Sequence, residues 1–178
     1  APDKRILRVI RIIDQLRNLG HDVHIHIIGP NAKHNHQYFN RIKNEVEKRN
    51  YVFLEGEVSR SKLAEIVSSH KYGIHGKPNE HFGIGIAELI AGGTIPFVPD
   101  SGGQVELVND IAQLMYSSEQ NGVGKIDTVL SNEELGLNLR GRLPSVSKEF
   151  NQSQFRTGFR RVVEKQLERA NIDEKDLT

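Results

Sequence analysis

The chain reads as an α/β domain in which a parallel sheet carries helices on both faces and is followed by a helical C-terminal extension. Three observations predict this. Short apolar runs of strand length alternate with segments whose apolar residues recur at helical spacing. A loop rich in Gly, Pro or Asn closes most of the strand-like runs. From Ser117 onward only the helical spacing remains. Strand and helix in alternation is the pattern of a parallel sheet buried on both sides.

Ile6, Val9, Ile10, Ile13 and Leu16 recur at helical spacing, with Asp3 as the expected N-cap and Asn18 to Gly20 as the stop. Asp22 to Ile28 alternates, Val23, Ile25 and Ile27 on one face and His24 and His26 on the other, which predicts a strand ending at Gly29-Pro30. Tyr38 or Phe39, Ile42 and Val46 mark a second helix, and Tyr51 to Leu54 a second strand closed by Glu55-Gly56-Glu57. Ser59 or Ser61 caps a third helix carrying Leu63, Ile66 and Val67. Tyr72 to His75 is a short strand, and Ile84 to Ala91 is the next helix. Ile95 to Val98 forms a strand, Gln104 to Asn109 a short helix and Gln113 to Tyr116 the last strand. The sheet region is thus expected over 1–117, with 118–178 as a helical part of the same domain.

In that helical part, Ile126, Val129 and Leu130 predict one short helix and 135–143 a weaker one. Phe155, Phe159, Val162, Val163 and Leu167 share one side of a final helix, with Arg156, Arg160, Arg161, Lys165 and Arg169 mainly on the other. An arginine row of this kind could meet phosphates. Glu164 and Glu168 interleave it, which favours a solvated face.

With 178 residues, 37% apolar and 26% charged, the chain is of a size and composition to bury a core of its own. A net charge of +1 argues against nucleic acid as the main partner, because a phosphate backbone asks for a clearly basic face. No apolar run approaches the roughly 20 residues that span a bilayer, and the first ten residues have no signal-peptide core. Cysteine is absent, which excludes disulfides and thiolate metal sites and suits a cytoplasmic location. The chain opens at Ala1 without Met and reaches a helix within a few residues, as a piece of a longer protein would.

Asn79-Glu80-His81-Phe82-Gly83-Ile84-Gly85-Ile86-Ala87-Glu88 concentrates the chemistry. Glycines at a helix start let a ligand approach the backbone, and the amides there, from His81 and Phe82 through Gly83, Ile84 and Gly85, favour an anion. Carboxylates only accept hydrogen bonds, so Glu80 and Glu88 suit hydroxyl groups. Along a continuous helix the two acids would stand roughly 12 Å apart, and a loop at Glu80 brings them closer. Phosphate and hydroxyls together describe a sugar nucleotide. A plainer reading makes Glu88 a first-turn acid favoured by the helix dipole, worth about 0.3–1 kcal/mol. In an open parallel sheet ligands lie beyond the carboxyl ends of the strands. The loops at Gly29, at Val58, at Gly76 to Gly83 and at Pro99 to Gly103 all fall there, with the nucleotide base expected near Gly56 to Arg60.

Glu80 and Glu88, separated by seven residues, come with Phe82-Gly83 and are followed by Ala91-Gly92-Gly93-Thr94-Ile95-Pro96 and Ser101-Gly102-Gly103-Gln104-Val105-Glu106. This ordered set resembles the retaining glycosyltransferases of family four, which have the GT-B fold. Glu-His-Phe-Gly-Ile-Gly at 80–85 is similar to a mannosyltransferase branch that extends lipid-linked oligosaccharides. The resemblance implies the Rossmann-like, donor-binding half of such an enzyme, lacking its first strand. It gives Glu88 the ribose hydroxyls, Glu80 a hydroxyl of the donor sugar, and Lys4 the diphosphate, beside an arginine ahead of Ala1. It implies a nucleoside diphosphate sugar donor, mannose as the favoured hexose, and no metal or other cofactor. The glycan or lipid-linked acceptor would bind a preceding domain, with peripheral contact at the cytoplasmic face of a membrane. The piece by itself is expected to be inactive.

Other readings compete. A non-catalytic nucleotide-binding module and a GT-B sugar-nucleotide epimerase would use a similar crevice. A phosphorylase would need a pyridoxal phosphate lysine that nothing singles out. Gly83-Ile84-Gly85-Ile86-Ala87-Glu88 imitates a dinucleotide fingerprint but has Glu where the third glycine belongs, which argues against NAD. His24 and His26, with His34 and His36 in the following loop, make a metal site conceivable. No carboxylate stands at matching spacing, so ordinary histidines are the preferred reading.

Overall fold

A computed structural model describes residues 1–30, 35–149 and 152–175. The chain divides into two compact units, one from Ala1 to Pro144 and one from Ser145 onward. The first unit contains five short strands, β1 (Ile25–Ile28), β2 (Val52–Gly56), β3 (Tyr72–Ile74), β4 (Ile95–Pro99) and β5 (Met115–Tyr116). Its helices are α1 (Ile6–Asn18), α2 (His36–Val46), α3 (Arg60–Ser68), α4 (Ile84–Ala91), α5 (Gln104–Leu107), α6 (Glu119–Leu130) and α7 (Glu133–Arg142). All strand pairs are parallel, as the alternation predicts. They form two ladders instead of one: β1 with β2, and β3, β4 and β5 in that order.

The core centres on β4, every residue of which is buried. Phe97 and Val98 pack with Leu107, Leu114 and Tyr116 in the fully buried set. The apolar stripe of α1, Val9, Ile10, Ile12, Ile13 and Leu16, is buried, and α1 packs against α6. The compact unit therefore runs on through α7, past the boundary at 117 read from the change of pattern. Polar groups hold the strand starts. The Thr94 hydroxyl, fully buried, lies within hydrogen-bonding distance of the carbonyls of Val67 and His70. Asp14 on α1 accepts from the Arg49 guanidinium at 2.7 Å and from the Tyr51 hydroxyl at 2.7 Å, which ties α1 to the entry of β2.

Several elements differ from the sequence reading, each for a local reason. Asp3 does not cap α1. Pro2 opens a 3₁₀ turn over Pro2–Lys4, Asp3 turns toward Lys77 at 3.5 Å, and Arg5, at φ 50°, occupies the cap position. β1 starts at Ile25, not Asp22, because the Arg17 guanidinium takes the Val23 carbonyl at 2.6 Å. α5 stops at Leu107, since Asn109 and Asp110 both adopt positive φ. The cap of α3 is Ser59, which accepts from the Lys62 amide.

The second unit holds α8 (Val146–Glu149) and α9 (Gln152–Lys175). On α9 the apolar residues Phe155, Phe159, Val162 and Leu167 are exposed, as are Arg156, Arg160, Arg161 and Lys165. The side chain of Arg169 lies outside the described residues.

Candidate functional site

β3 delivers His75, Gly76 and Lys77 to the carboxyl side of the sheet, and the turn at Asn79, at φ 52°, brings Glu80 back beneath them. The Glu80 carboxylate accepts from Lys4 Nζ at 2.8 Å and from Lys77 Nζ at 3.3 Å. Lys77 also faces Asp3. The imidazole of His75 approaches the same carboxylate at 3.5 Å, and its Nε2 has no hydrogen-bond partner. Glu80 is thus enclosed by cations, with 14% of its side chain exposed, while Lys4 keeps 43% of its side chain in solvent. An ammonium group has three donors, so Lys4 can serve Glu80 and an incoming anion together.

The loop after β4 braces this turn. The Gly103 amide donates to the Glu80 carbonyl at 2.8 Å, and the Asn79 amide donates to Ser101 Oγ at 3.1 Å. Gly102 and Gly103 are required by closeness of approach. A Cβ on Gly103 would lie 2.1 Å from the His81 carbonyl oxygen, and one on Gly102 2.6 Å from that of Glu80. Gln104 is completely buried, and its amide nitrogen lies within hydrogen-bonding distance of the carbonyls of Lys77, Pro99 and Ser101.

Gly83, at φ 98°, caps α4, and its carbonyl accepts from the Ile86 and Ala87 amides. The amides of Ile84 and Gly85 belong to the first turn, which has no intrahelical acceptors for them. Ile84 is exposed, and a Cβ added to Gly85 would meet nothing within 4 Å, so the space beside this turn is open. Phe82 and His81 are exposed at its rim. Glu88, one turn further along α4, pairs with Arg60 of α3 at 2.6 Å; the Arg60 side chain is 87% exposed. Such an exposed pair contributes about 0–1 kcal/mol and opens readily. Gly29 and Val58 follow β1 and β2, and the Gly29 amide donates to the Gly56 carbonyl.

Lys4 and Glu80 are therefore in direct contact, and Gly83, Ile84 and Gly85 form one helix start. Glu88 instead meets a cation from the neighbouring helix. Arg60, Lys77 and His75 are the residues the sequence reading did not single out. Lys77, three positions before Glu80, carried a spacing signal. Arg60, 28 positions from Glu88, carried none.

The electrostatics predict two acid transitions. The Lys4 hydrogen bond is the main cause that holds the Glu80 carboxyl at about 2, below its ordinary 4.5. Ionised Glu80 therefore stabilises the fold fully above about pH 4.5, and this is lost as pH falls toward 2. Burial, with Lys4 nearby, lowers His75 below its ordinary 6.5. Its neutral form contributes fully above pH 6.5, and the contribution declines below it. Stability followed by urea denaturation against pH should fall from below pH 6.5 and again below 4.5. His75→Gln should remove the first step, and Glu80→Gln about 1–3 kcal/mol of the second, a figure discounted for solvent screening. Variants that retain the wild-type profile would contradict the assignment.

Elsewhere, His24, His26 and His70 each place a ring nitrogen within 4.8 Å of the others. His26 Nδ1 lies 2.6 Å from Glu55 Oε1, and His70 Nδ1 lies 2.6 Å from the Ile66 carbonyl. A carboxylate does reach these histidines, across the β1 and β2 ladder, where sequence spacing offered none. Burial, and then the other two rings, lower the pKa of His24. His34 lies outside the described residues, and His36 begins α2.

Residues 1–143 match the family described as glycosyl transferases group 1. The chain belongs to this family. It is 30% identical over 131 residues to the human GDP-Man:Man(3)GlcNAc(2)-PP-Dol alpha-1,2-mannosyltransferase, a match covering 70% of this chain and 27% of the relative. The Dictyostelium discoideum protein of the same name is 27% identical over 124 residues, 68% of this chain and 25% of the relative. The chain thus spans about a quarter of these curated relatives. Among solved structures, it resembles Anabaena HepE in complex with UDP and glucose at TM-score 0.77 and 16% identity, covering 93% of this chain and 46% of that one. It resembles the pneumococcal O-GlcNAc transferase GtfA in complex with UDP and GlcNAc at TM-score 0.70 and 20% identity, covering 94% and 34%. The fold of this group 1 chain is that of GT-B glycosyltransferases. No helix among the described residues is long and apolar enough to cross a membrane.

Proposed function

We propose that this chain is the donor-binding half of a retaining hexosyltransferase that moves mannose from a nucleoside diphosphate sugar to a glycan or lipid-linked acceptor. The observation that carries the reading is Glu80, held between Lys4 and Lys77 beside the start of α4. The donor diphosphate lies at the amides of Gly83, Ile84 and Gly85, with Lys4 beside it. Positive groups aimed at the departing diphosphate stabilise the charge that develops there, and no metal ion or other cofactor is asked to do so. Glu80, ionised and already oriented, accepts from a hydroxyl of the donor sugar. Glu88 accepts from the ribose once Arg60 swings aside, and the base lies near Gly29 and Val58. The name of the human relative favours a guanine base and mannose. The acceptor and any contact with the cytoplasmic face of a membrane belong to parts of a longer protein, so this chain alone binds donor without transferring it.

Calorimetric titration tests the reading. GDP-mannose is expected to bind more tightly than UDP-glucose, NAD to give no heat, and Glu88→Ala to weaken GDP and GDP-mannose alike by about ten-fold, the loss of one or two hydroxyl contacts. Binding unchanged in the Glu80→Ala, Glu88→Ala double variant would end the assignment of roles. Binding of any nucleotide without preference for its sugar would favour the non-catalytic module.

A further inference from the structure

The two ladders present unpaired edges to each other. In a parallel pair, a residue's amide and carbonyl point to the same side, and successive residues alternate. The Ile25 amide donates to the Tyr51 carbonyl and the Gly29 amide to that of Gly56, so the backbone groups of His24, His26 and Ile28 point away from β2. On β3, the Lys71 carbonyl accepts from Ile95 and the His75 amide donates to Phe97, so Tyr72 and Ile74 point away from β4. Among the described residues no strand pairs with either of these edges. Between them lies a cavity of about 460 Å³ lined by both strands. Ile13 and Leu16 of α1 and Ile126 of α6 line it, as do Ile66 and Val67 of α3 and Leu89 of α4.

We propose that this cleft is the seat of one further parallel strand, four or five apolar residues long, joined in cis ahead of Ala1. Two facing backbone edges flanking an apolar cavity specify the occupant. Only an extended chain meets both rows of amides and carbonyls, and helices lining the cavity require it to be apolar on both faces, as strands of parallel sheets are. Direction follows from the entry point. A Cβ on Gly76 would lie 2.5 Å from the Lys4 carbonyl, so residues 4 and 5 sit against the carboxyl end of β3. A strand arriving at Ala1 through the cleft therefore runs parallel to β1 and β3. Its insertion joins the ladders into one sheet of order β2, β1, new strand, β3, β4, β5. The rings of His24, His26 and His70 crowd the amino end of the cleft, which asks for a small first residue there. The inference rests on backbone geometry and stands whether or not the donor reading holds.

Amide hydrogen exchange followed by NMR tests it. In the chain as it is, the amides of His26, Tyr72 and Ile74 should exchange at least about ten-fold faster than those of Ile25 and His75, which are already bonded. A fusion carrying five alternating Val and Ile residues and a short linker ahead of Ala1 should slow the first three by about ten-fold or more. A Gly-Ser extension of equal length should not. Equal exchange of the two sets in the parent chain would overturn the proposal, as would protection by the Gly-Ser fusion or none by the Val-Ile fusion. Protection of the parent that grows with protein concentration would assign the edge to a second copy and overturn it as well.

Discussion

Glu80→Ala is expected to separate recognition of the sugar from recognition of the diphosphate. Removing this carboxylate leaves Lys4 and Lys77 without their shared acceptor, so the positive field beside α4 grows. A nucleoside diphosphate should then bind as tightly as before or a few-fold tighter. The sugar nucleotide loses the only acidic acceptor placed for its hydroxyls by the family resemblance and should bind about ten- to hundred-fold more weakly, as removal of a charged hydrogen-bonding group from a site typically does. In a longer protein that completes the enzyme, turnover should fall by about a hundred-fold or more. Paired titrations with GDP and GDP-mannose check this directly. Parallel weakening of both ligands would make Glu80 a structural anchor for Lys4 and nothing more.

Gly103→Ala should cost the most in stability of any single added methyl group. Its Cβ would stand 2.1 Å from a backbone carbonyl oxygen, and neither the Glu80 bridge nor buried Gln104 leaves that backbone room to retreat. Overpacking typically costs about 1–3 kcal/mol, and a clash with main chain belongs at or above the upper end of that range. Gly124→Ala is the matched control. Gly124 lies within α6 with nothing within 4 Å of an added Cβ, so alanine there should stabilise by up to about 1 kcal/mol. Urea denaturation of the two variants should move the midpoint in opposite directions. A Gly103→Ala protein as stable as the parent would mean that the 79–82 turn is not braced by the loop after β4.

How much of this was legible beforehand differs by kind of feature. Ser59, Gly83 and the alternation of β1 announce themselves because caps and periodicity are local properties of the chain. The start of α6 did not, because Gly122 and Gly124 lower helix propensity where packing asks for them; a Cβ on Gly122 would come within 3.3 Å of the Tyr116 ring. The partners of the two acids show the same division. Lys77 is a neighbour in sequence, whereas Arg60 reaches Glu88 only through the packing of α3 beside α4. Strand order was beyond reach for a similar reason. Alternation specifies which side chains point inward, and it is silent on which strand lies alongside which.

The turn that carries Glu80 is welded to the loop after β4 at both main-chain and side-chain level. Its shape is settled when the protein folds and owes nothing to the arrival of a ligand. Recognition at this crevice is therefore closer to lock and key than to a closing hand, with the adjustment confined to swinging tips such as Arg60 and Lys4. Any larger movement in a turnover cycle would have to carry this whole half as a solid body.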